Sequence, residues 1–151
     1  MAIREIIQYP DEFLRKTCKE VVNFDKKLHI LLDDMKQTMD AANGVGLAAI
    51  QVGVLKRVVI IDIGEELYEL INPVFVKKSG EQRSIEGCLS CAGQEGTVIR
   101  PEKVEIKAFD RNGKKIKLVG EELLAIAICH ELDHLDGRIF LDFVVDTDET
   151  A

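Results

Sequence analysis

An apolar stretch in the last third of the chain leaves few choices of fold. Residues 123–128 (LLAIAI) are apolar on nearly every side of a helix, and residues 130–134 (HELDH) follow after a single cysteine. A helix that is apolar all round is buried rather than laid on a surface. The pattern predicts a helix over about residues 121–136, ended by Gly137, with strands packed on more than one side of it.

A second helix is predicted earlier in the chain. Asp25 is a suitable N-cap, and the segment up to about Asn43 has apolar residues at helical spacing. Gly44 is expected to take the left-handed conformation that ends many helices. Residues 10–15, which begin with a proline, predict a single helical turn.

The segments between the two helices have the composition and period of β-strands. Strands are predicted at residues 57–62, 69–71 and 74–76, and a hairpin joins residues 104–109 to 115–118 through the turn at 111–113. Residues 139–145 are expected to add a last strand. The predicted fold class is therefore α+β, with mostly antiparallel sheets around a buried central helix. No repeat or linker divides the chain, so residues 1–151 are expected to form one domain.

The polar end of the buried helix has the spacing of a metal site. His130 and His134 are four residues apart, so both imidazoles lie on one helical face and can reach a single ion. Glu131 is placed to reach a metal-bound water without being a ligand itself. Burial of these groups is costly unless something pairs with them, and a metal ion removes that cost. The alternative is a frayed, exposed helix end with an ordinary polar pattern.

The third ligand of such a site distinguishes between classes of enzyme. Catalytic sites usually have three protein ligands and one position open to water. No histidine follows His134, and Glu149 is the only downstream glutamate, so the third ligand is expected upstream, where a thiolate is the obvious candidate. In a reducing compartment the four cysteines are expected to be buried fillers, metal ligands or catalytic groups rather than disulfide partners: Cys18, Cys88, Cys91 and Cys129.

Charge and hydropathy exclude other classes of protein. The formal net charge of −7 argues against binding nucleic acid stably through the whole surface, although a small basic patch remains compatible with docking on a ribosome. The start of the chain lacks a basic segment followed by a long apolar run, so no signal peptide is expected. No stretch reaches the roughly 20 apolar residues that span a bilayer. A cytoplasmic protein without a membrane partner is the expectation.

Three segments together resemble the signature motifs of the peptide deformylase family: residues 44–51 (GVGLAAIQ), 86–90 (EGCLS) and 130–137 (HELDHLDG). They occur in the family's order. The resemblance implies removal of the N-terminal formyl group from formyl-methionine of nascent polypeptides, with release of formate. It implies that Cys88, His130 and His134 hold one divalent metal ion. Fe²⁺ is the expected ion in the cell, and Zn²⁺, Ni²⁺ or Co²⁺ could occupy the site in purified protein.

The resemblance also implies a role for each catalytic group. Gln51, through its side-chain amide, and Leu89, through its backbone N–H, would stabilise the oxyanion that forms on the formyl oxygen. Glu131 would take a proton from water and pass it to the departing amine.

The same resemblance assigns the substrate-binding residues. Gly44 and Gly46 would let the substrate backbone approach closely for β-like hydrogen bonding; alternatively they mark only a helix end and a loop. The positions that match the family's methionine pocket are Val45, Leu123, Ile126 and Ala127. Core packing is the alternative for these four, and a pocket within an apolar core is compatible with both.

Two other functions remain open at this point. A zinc metallopeptidase would need a third ligand other than Cys88. A non-catalytic protein that binds formylated peptides would need neither the proton acceptor Glu131 nor the oxyanion donor Gln51. Two residues depart from the family pattern, since Ala92 replaces a common proline and Cys129 a common glutamine; these changes leave the ligands intact. Cys91, three residues after Cys88, is expected to be a small buried or pocket-edge residue rather than part of a redox pair.

Overall fold

The computed structural model describes residues 2–145 of the chain. Within this range the helices are α1 (Lys26–Ala41) and α2 (Leu123–Leu135), with short 3₁₀ helices at Glu12–Arg15, Ala49–Val52 and Phe140–Phe143. The strands are β1 (Gly46–Ala48), β2 (Val58–Ile61), β3 (Tyr68–Ser79), β4 (Gln82–Glu86), β5 (Gly96–Arg100), β6 (Lys103–Phe109) and β7 (Lys115–Glu121). The fold class is α+β, as predicted. No helix in residues 2–145 is both long enough and apolar enough to cross a bilayer.

The strands form two antiparallel sheets. The larger sheet has the order β1-β2-β3-β6-β7, and the smaller one pairs β4 with β5. The hairpin between β6 and β7 confirms the sequence prediction, with Phe109 opposite Lys115 next to the turn. The sequence analysis missed the short strand β1 and the β4–β5 hairpin, because neither has a long alternating apolar pattern.

Strand β3 corrects the prediction of two separate strands. The chain continues through the expected break at Asn72, which has a φ of 52°, and a bulge lies between Ile71 and Val74. The Asn72 amide holds this bulge in place: its Oδ1 accepts a hydrogen bond from the Val21 N–H at 2.8 Å, and its Nδ2 donates to the Val21 carbonyl at 2.9 Å. What the sequence indicated as a turn is therefore a bulge inside one strand.

The two helices pack on opposite faces of the larger sheet. Side chains of α2, including Leu124 and Ile128, share a core with inward residues of β2, β3 and β6. Side chains of α1, including Leu28 and Leu32, share a second core with the other face of β1, β2 and β3. Full burial of each such side chain contributes about 1.5–3 kcal/mol. Helix α2 also contacts β7 and β5, so strands of both sheets pack against it.

The ends of α1 match the prediction at one end only. The Asp25 side chain caps the first turn by accepting a hydrogen bond from the Leu28 N–H at 3.1 Å, as expected. At the other end Asn43, not Gly44, has the left-handed conformation, with a φ of 57°. Asparagine tolerates this region better than most residues, so it serves here where glycine was expected.

The segment after α2 is also different from the prediction. Residues 139–145 were expected to form a strand, but Phe140–Phe143 is a 3₁₀ helix whose Asp142 accepts a hydrogen bond from the Ile139 N–H at 3.0 Å. Up to residue 145, where the described part of the chain ends, it is followed by a single antiparallel bridge, between Val144 and Val98. The predicted stop at Gly137 is confirmed, with a φ of 74°. Glu149 lies outside the described residues.

Candidate active site

Three side chains with metal-binding donors meet at the end of α2. His130 and His134 lie on one face of the helix, and Cys88 comes from the loop that follows β4. One donor atom of each lies within 4.8 Å of the other two. The Cys88 Sγ is 3.4 Å from the His134 Nε2. Two histidines and a cysteine 42 residues upstream of the first are thus brought together by the fold.

The chemistry of these donors fits a divalent transition metal. Imidazole nitrogen and thiolate sulfur are the ligands that such ions prefer. Burial lowers the pKa of His134 well below its ordinary value, so this imidazole is neutral and has a lone pair to offer. A hydrogen bond with Cys91 and then burial raise the pKa of Cys88, so its thiolate needs a cation nearby. Among the described residues, His134 Nδ1 and Glu131 Oε1 are buried without a hydrogen-bond partner.

Glu131 lies beside the three donors and is buried. Its Oε2 is 3.9 Å from the His130 Nε2. Burial raises the pKa of Glu131 to about 7, against an opposing effect of His130. A carboxylate with a pKa near the working pH can both accept and return a proton. Gly46 of β1 packs directly against this carboxylate, and a Cβ on Gly46 would lie 2.5 Å from Oε2.

A buried network orients His130, and the sequence analysis missed it. The Glu86 Oε1 lies 2.9 Å from the His130 Nδ1, which leaves the Nε2 of the ring to face the site. Arg100 holds Glu86 from the other side through two hydrogen bonds of 2.8 and 2.9 Å, and donates a third, of 2.7 Å, to Asp133. Burial alone would raise the pKa of Glu86, but Arg100 and His130 outweigh it and lower the pKa. The sequence signal for Glu86 was its place in the motif at residues 86–90, whereas Arg100 was marked by its charge alone.

Two carboxylates, those of Glu131 and Glu86, change the pKa of His130. Burial tends to lower the pKa of His130, but Glu131 and Glu86 outweigh burial and raise the pKa overall. A hydrogen bond from the second ring nitrogen to a carboxylate fixes the tautomer and orientation of a metal-binding histidine. Glu86 therefore prepares His130 to be a ligand through Nε2.

Gln51 is held in one orientation next to Cys88. Its Oε1 accepts a hydrogen bond from the Ala48 N–H at 2.8 Å, so its Nε2 must point the other way. That nitrogen donates to the Ser90 Oγ at 3.0 Å and approaches the Cys88 Sγ at 3.6 Å. The amide is buried, and Ser90, which the sequence analysis did not single out, helps to position it. A fixed amide of this kind can donate to an oxyanion.

The loop after β4 is tied down by the N-terminal segment. The Leu89 carbonyl accepts a hydrogen bond from the Gln8 side chain at 2.8 Å, and the Ser90 carbonyl accepts one from the Tyr9 N–H at 2.7 Å. In the described part of the chain, the Leu89 N–H has no hydrogen-bond acceptor. This donor is therefore free to bind a ligand. The loop also buries Cys91, which is 2% exposed and packs beneath Cys88.

A cavity of about 360 Å³ opens onto these groups. Its lining includes the four groups Cys88, Leu89, His130 and Glu131, together with the six residues that the sequence analysis assigned to substrate binding: Gly44, Val45, Gly46, Leu123, Ile126 and Ala127. Val45 and Leu123 are about half exposed, so they lie at the mouth of the cavity rather than in the core. Gln51 and His134 lie behind the lining. A Cβ on Gly44 would come within 2.6 Å of the Leu89 side chain, which would have to move to make room for it.

Comparison with known proteins identifies one family. The sequence model of the polypeptide deformylase family matches residues 3–150. The peptide deformylase of Acetivibrio thermocellus is 58% identical over 145 residues, which cover 96% of this chain and 85% of the relative. That of Caldicellulosiruptor bescii is 56% identical over 145 residues, with 96% and 87% covered.

Solved structures give the same result. A crystal structure of a peptide deformylase from Legionella pneumophila superimposes with a TM-score of 0.92 at 46% identity, covering 98% of this chain and 89% of the other. A peptide deformylase from Synechococcus elongatus, solved in complex with actinonin, has a TM-score of 0.92 at 40% identity, with 95% and 79% covered.

Proposed function

Because this chain belongs to the polypeptide deformylase family, we propose that the groups gathered at the end of α2 are the active site of its deformylase reaction. The family acts on nascent polypeptides and removes their N-terminal formyl group in a metal-dependent hydrolysis. A zinc metallopeptidase and a non-catalytic binding protein are not favoured, since the relatives at 50–58% identity are peptide deformylases over most of the chain. The observation that carries the site assignment is the cluster of Cys88, His130 and His134 donors beside the buried Glu131.

The metal ligands in this proposal are Cys88, His130 and His134, and α2 is the central helix that carries the metal-binding motif. The proposal is supported by the mutual distances of the donor atoms and by the hydrogen bond that orients His130. Ferrous iron is the proposed ion in the cell, with zinc, nickel or cobalt as substitutes in purified protein. A divalent ion held there would lower the pKa of water and polarise the formyl oxygen.

The protein's own groups move the protons and stabilise charge. Water adds to the formyl carbon, and Glu131 accepts the proton that this water loses. Gln51 Nε2 and the Leu89 N–H donate hydrogen bonds to the formyl oxygen as it becomes an oxyanion. The C–N bond then breaks, and Glu131 returns the proton to the leaving nitrogen. The products are formate and a free methionine amino group.

The cavity is proposed to hold the formyl-methionine residue. Leu123, Ile126 and Ala127 of α2 would contact the methionine side chain, and Val45 would contact it from the other side of the mouth. Gly44 and Gly46 would admit the substrate backbone. The support for this assignment is that all six residues line one cavity, which also contains Glu131.

The remaining expectations concern the setting of the reaction. We propose that residues 1–151 form one catalytic domain that works in the cytoplasm. Its substrates are the formylated N-termini of nascent chains, and it contacts the ribosome only transiently.

The test is formate release from a formyl-methionyl peptide, using protein purified without oxygen and analysed for metal. We expect release by the wild type and loss of both metal and activity in Cys88→Ala. Cys129→Ala is the matched control, because this buried cysteine lies one residue before His130 but outside the donor cluster. Metal retention and turnover by Cys88→Ala would contradict the ligand assignment. Absence of formate release by metal-loaded wild type would contradict the function.

A further inference from the structure

One part of the larger sheet has a face that α1 does not cover. Helix α1 packs over β1, β2 and the start of β3, whereas β6, β7 and the second half of β3 extend beyond it. Their outward side chains form what we call the lysine face: Val74, Lys77, Glu105, Lys107, Phe109, Lys115, Lys117 and Val119. Val74 is 56% exposed and Val119 is 48% exposed. Lys107, Lys115 and Lys117 are exposed as well.

The register of the strands brings like charges together on the lysine face. Lys107 stands directly opposite Lys117, with Val74 opposite Lys107 on its other side. Directly opposite side chains on an antiparallel pair have Cβ atoms about 5 Å apart, where like charges are unfavourable. Lys115 lies on the same face two residues from Lys117, about 7 Å along the strand. This arrangement of like charges does not stabilise the folded chain by itself. It favours the binding of an anion that belongs to a partner.

Acidic side chains within the described chain do not neutralise these three lysines. The ion pairs of residues 2–145 that use a lysine involve Lys36 and Lys103 instead. Glu105 belongs to the lysine face, where it stands opposite Lys77 and makes no ion pair among the described residues, and Glu121 is 3.6 Å from Lys103. Lys107, Lys115 and Lys117 therefore present unpaired ammonium groups in a chain whose net charge is −7.

The same three lysines surround a shallow cleft. A cavity of about 460 Å³ is lined by Lys107, Lys115 and Lys117 and, between them, by the apolar side chains of Val74 and Phe109. Lysines at a rim bind phosphate oxygens, and an apolar or aromatic floor accepts a base or sugar. This combination fits a nucleic-acid backbone better than a bare inorganic anion or an acidic peptide.

We infer that the lysine face binds phosphates of ribosomal RNA. The inference rests on the proposed function, since an enzyme that acts on nascent chains works beside the ribosome. The acidic remainder of the surface repels phosphate, which keeps the contact weak and fixes its orientation. Inward residues of the same strands, Ile106 and Leu118, pack towards α2, so the lysine face lies on the other side of the sheet from α2. Docking through it leaves the mouth of the catalytic cavity accessible.

The test is a titration of full-length, metal-loaded protein with purified bacterial 70S ribosomes at several salt concentrations. Three phosphate contacts predict that the affinity falls about 20- to 40-fold between 50 and 200 mM salt. Lys107→Glu/Lys117→Glu should weaken binding at 50 mM salt by at least about tenfold and flatten the salt dependence. Lys26→Glu/Lys27→Glu is the matched control, because it makes the same change of charge on exposed residues at the start of α1. The variant Lys107→Ala/Lys117→Ala removes the two positive charges without adding acidic groups. Weaker ribosome binding by this variant as well shows that the missing charge, rather than misfolding, is the cause.

Formate release from a free formyl-methionyl peptide is measured on every variant. Unchanged release together with selective loss of ribosome binding in the lysine-face variants supports the inference. Equal weakening by both double variants overturns it, because net charge would then be the cause. Absence of wild-type binding to ribosomes, or binding only to phosphatidylglycerol vesicles, also overturns it and leaves the deformylase assignment intact. Loss of formate release by the wild type would instead count against the proposed function.

Discussion

Replacement of Glu86 by glutamine tests how the protein prepares its metal site. The Glu86 carboxylate makes hydrogen bonds to the Arg100 guanidinium with both oxygens and to the His130 Nδ1 with one. Glutamine keeps the shape but removes the negative charge, and its amide nitrogen would face an N–H donor of Arg100. His130 would then have a neutral amide oxygen in place of the carboxylate that fixes its ring, and Arg100 would keep only Asp133 as an anionic partner.

Two effects of different size are expected from Glu86→Gln. Removal of one partner from a buried ion pair costs about 3–5 kcal/mol, and the retained Asp133 contact places this change near the lower end, at about 3 kcal/mol. Replacement of the carboxylate that orients a metal-binding histidine weakens metal binding by about 10- to 100-fold. The decrease in metal affinity should be larger for Glu86→Gln than for Asp133→Asn, because the second substitution removes a partner of Arg100 but leaves His130 unchanged.

The assay separates folding from metal binding. Urea unfolding of the metal-free proteins gives the free energy of unfolding, and competition with a chelator for Co²⁺ gives the metal affinity. We expect both values to fall for Glu86→Gln and only the free energy of unfolding to fall for Asp133→Asn. A Glu86→Gln protein with wild-type affinity for Co²⁺ would refute the argument that Glu86 prepares His130, whatever its stability.

Three further predictions concern single side chains. Glu131→Gln should reduce kcat about 100- to 10,000-fold while metal content stays at the wild-type level, because it removes a proton acceptor and no ligand. Gly46→Ala should lower kcat at least about tenfold, since its Cβ would lie 2.5 Å from the Glu131 Oε2 and displace that carboxylate. Asp34→Asn should lower the free energy of unfolding at pH 7 by about 1.5–3 kcal/mol, because Asp34 accepts hydrogen bonds from the Ala2 N–H and Arg4. Burial alone would raise the pKa of Asp34, but these bonds outweigh it and lower the pKa, so the stabilisation is present above the ordinary pKa and is lost as the pH falls below it.

Each of these has an outcome that would contradict it. Substantial formate release by Glu131→Gln would remove Glu131 from the proton transfer. A wild-type kcat for Gly46→Ala would mean that the reaction does not depend on the exact position of the Glu131 carboxylate, which contradicts the prediction. For Asp34→Asn, urea unfolding at pH 7 and pH 3 should show a difference from wild type that shrinks at the lower pH. A difference that stays constant would point to lost packing rather than to the carboxylate charge.

Some structural elements could be predicted from the sequence pattern within the element itself. The cap at Asp25 and the β6–β7 hairpin follow from side-chain chemistry and period over a few residues, and both are confirmed. The spacing of His130 and His134 on one helical face is likewise a local property. Resemblance to a family then supplied Cys88, which local pattern could indicate only as one of four cysteines.

Other elements depended on contacts between distant residues. The bulge at Asn72 was predicted as a break between two strands, because its anchor, the backbone of Val21, lies 51 residues away. The network of Glu86, Arg100 and Asp133 was not predicted, because charged residues usually indicate exposure rather than burial. From the sequence alone, Lys107 and Lys117 are ordinary exposed lysines. Only the strand register shows that they stand opposite each other.

The sequence by itself determined the α+β class, the positions of the two α-helices, the histidine pair on α2 and the family to which the chain belongs. Only the tertiary structure decided which carboxylate orients His130, which way the Gln51 amide points, and which lysines share a face. The physical reason is the range of the interactions involved. Helical spacing and turn chemistry act over a few residues, whereas burial, pKa and ion pairing depend on atoms that folding brings together from remote parts of the chain.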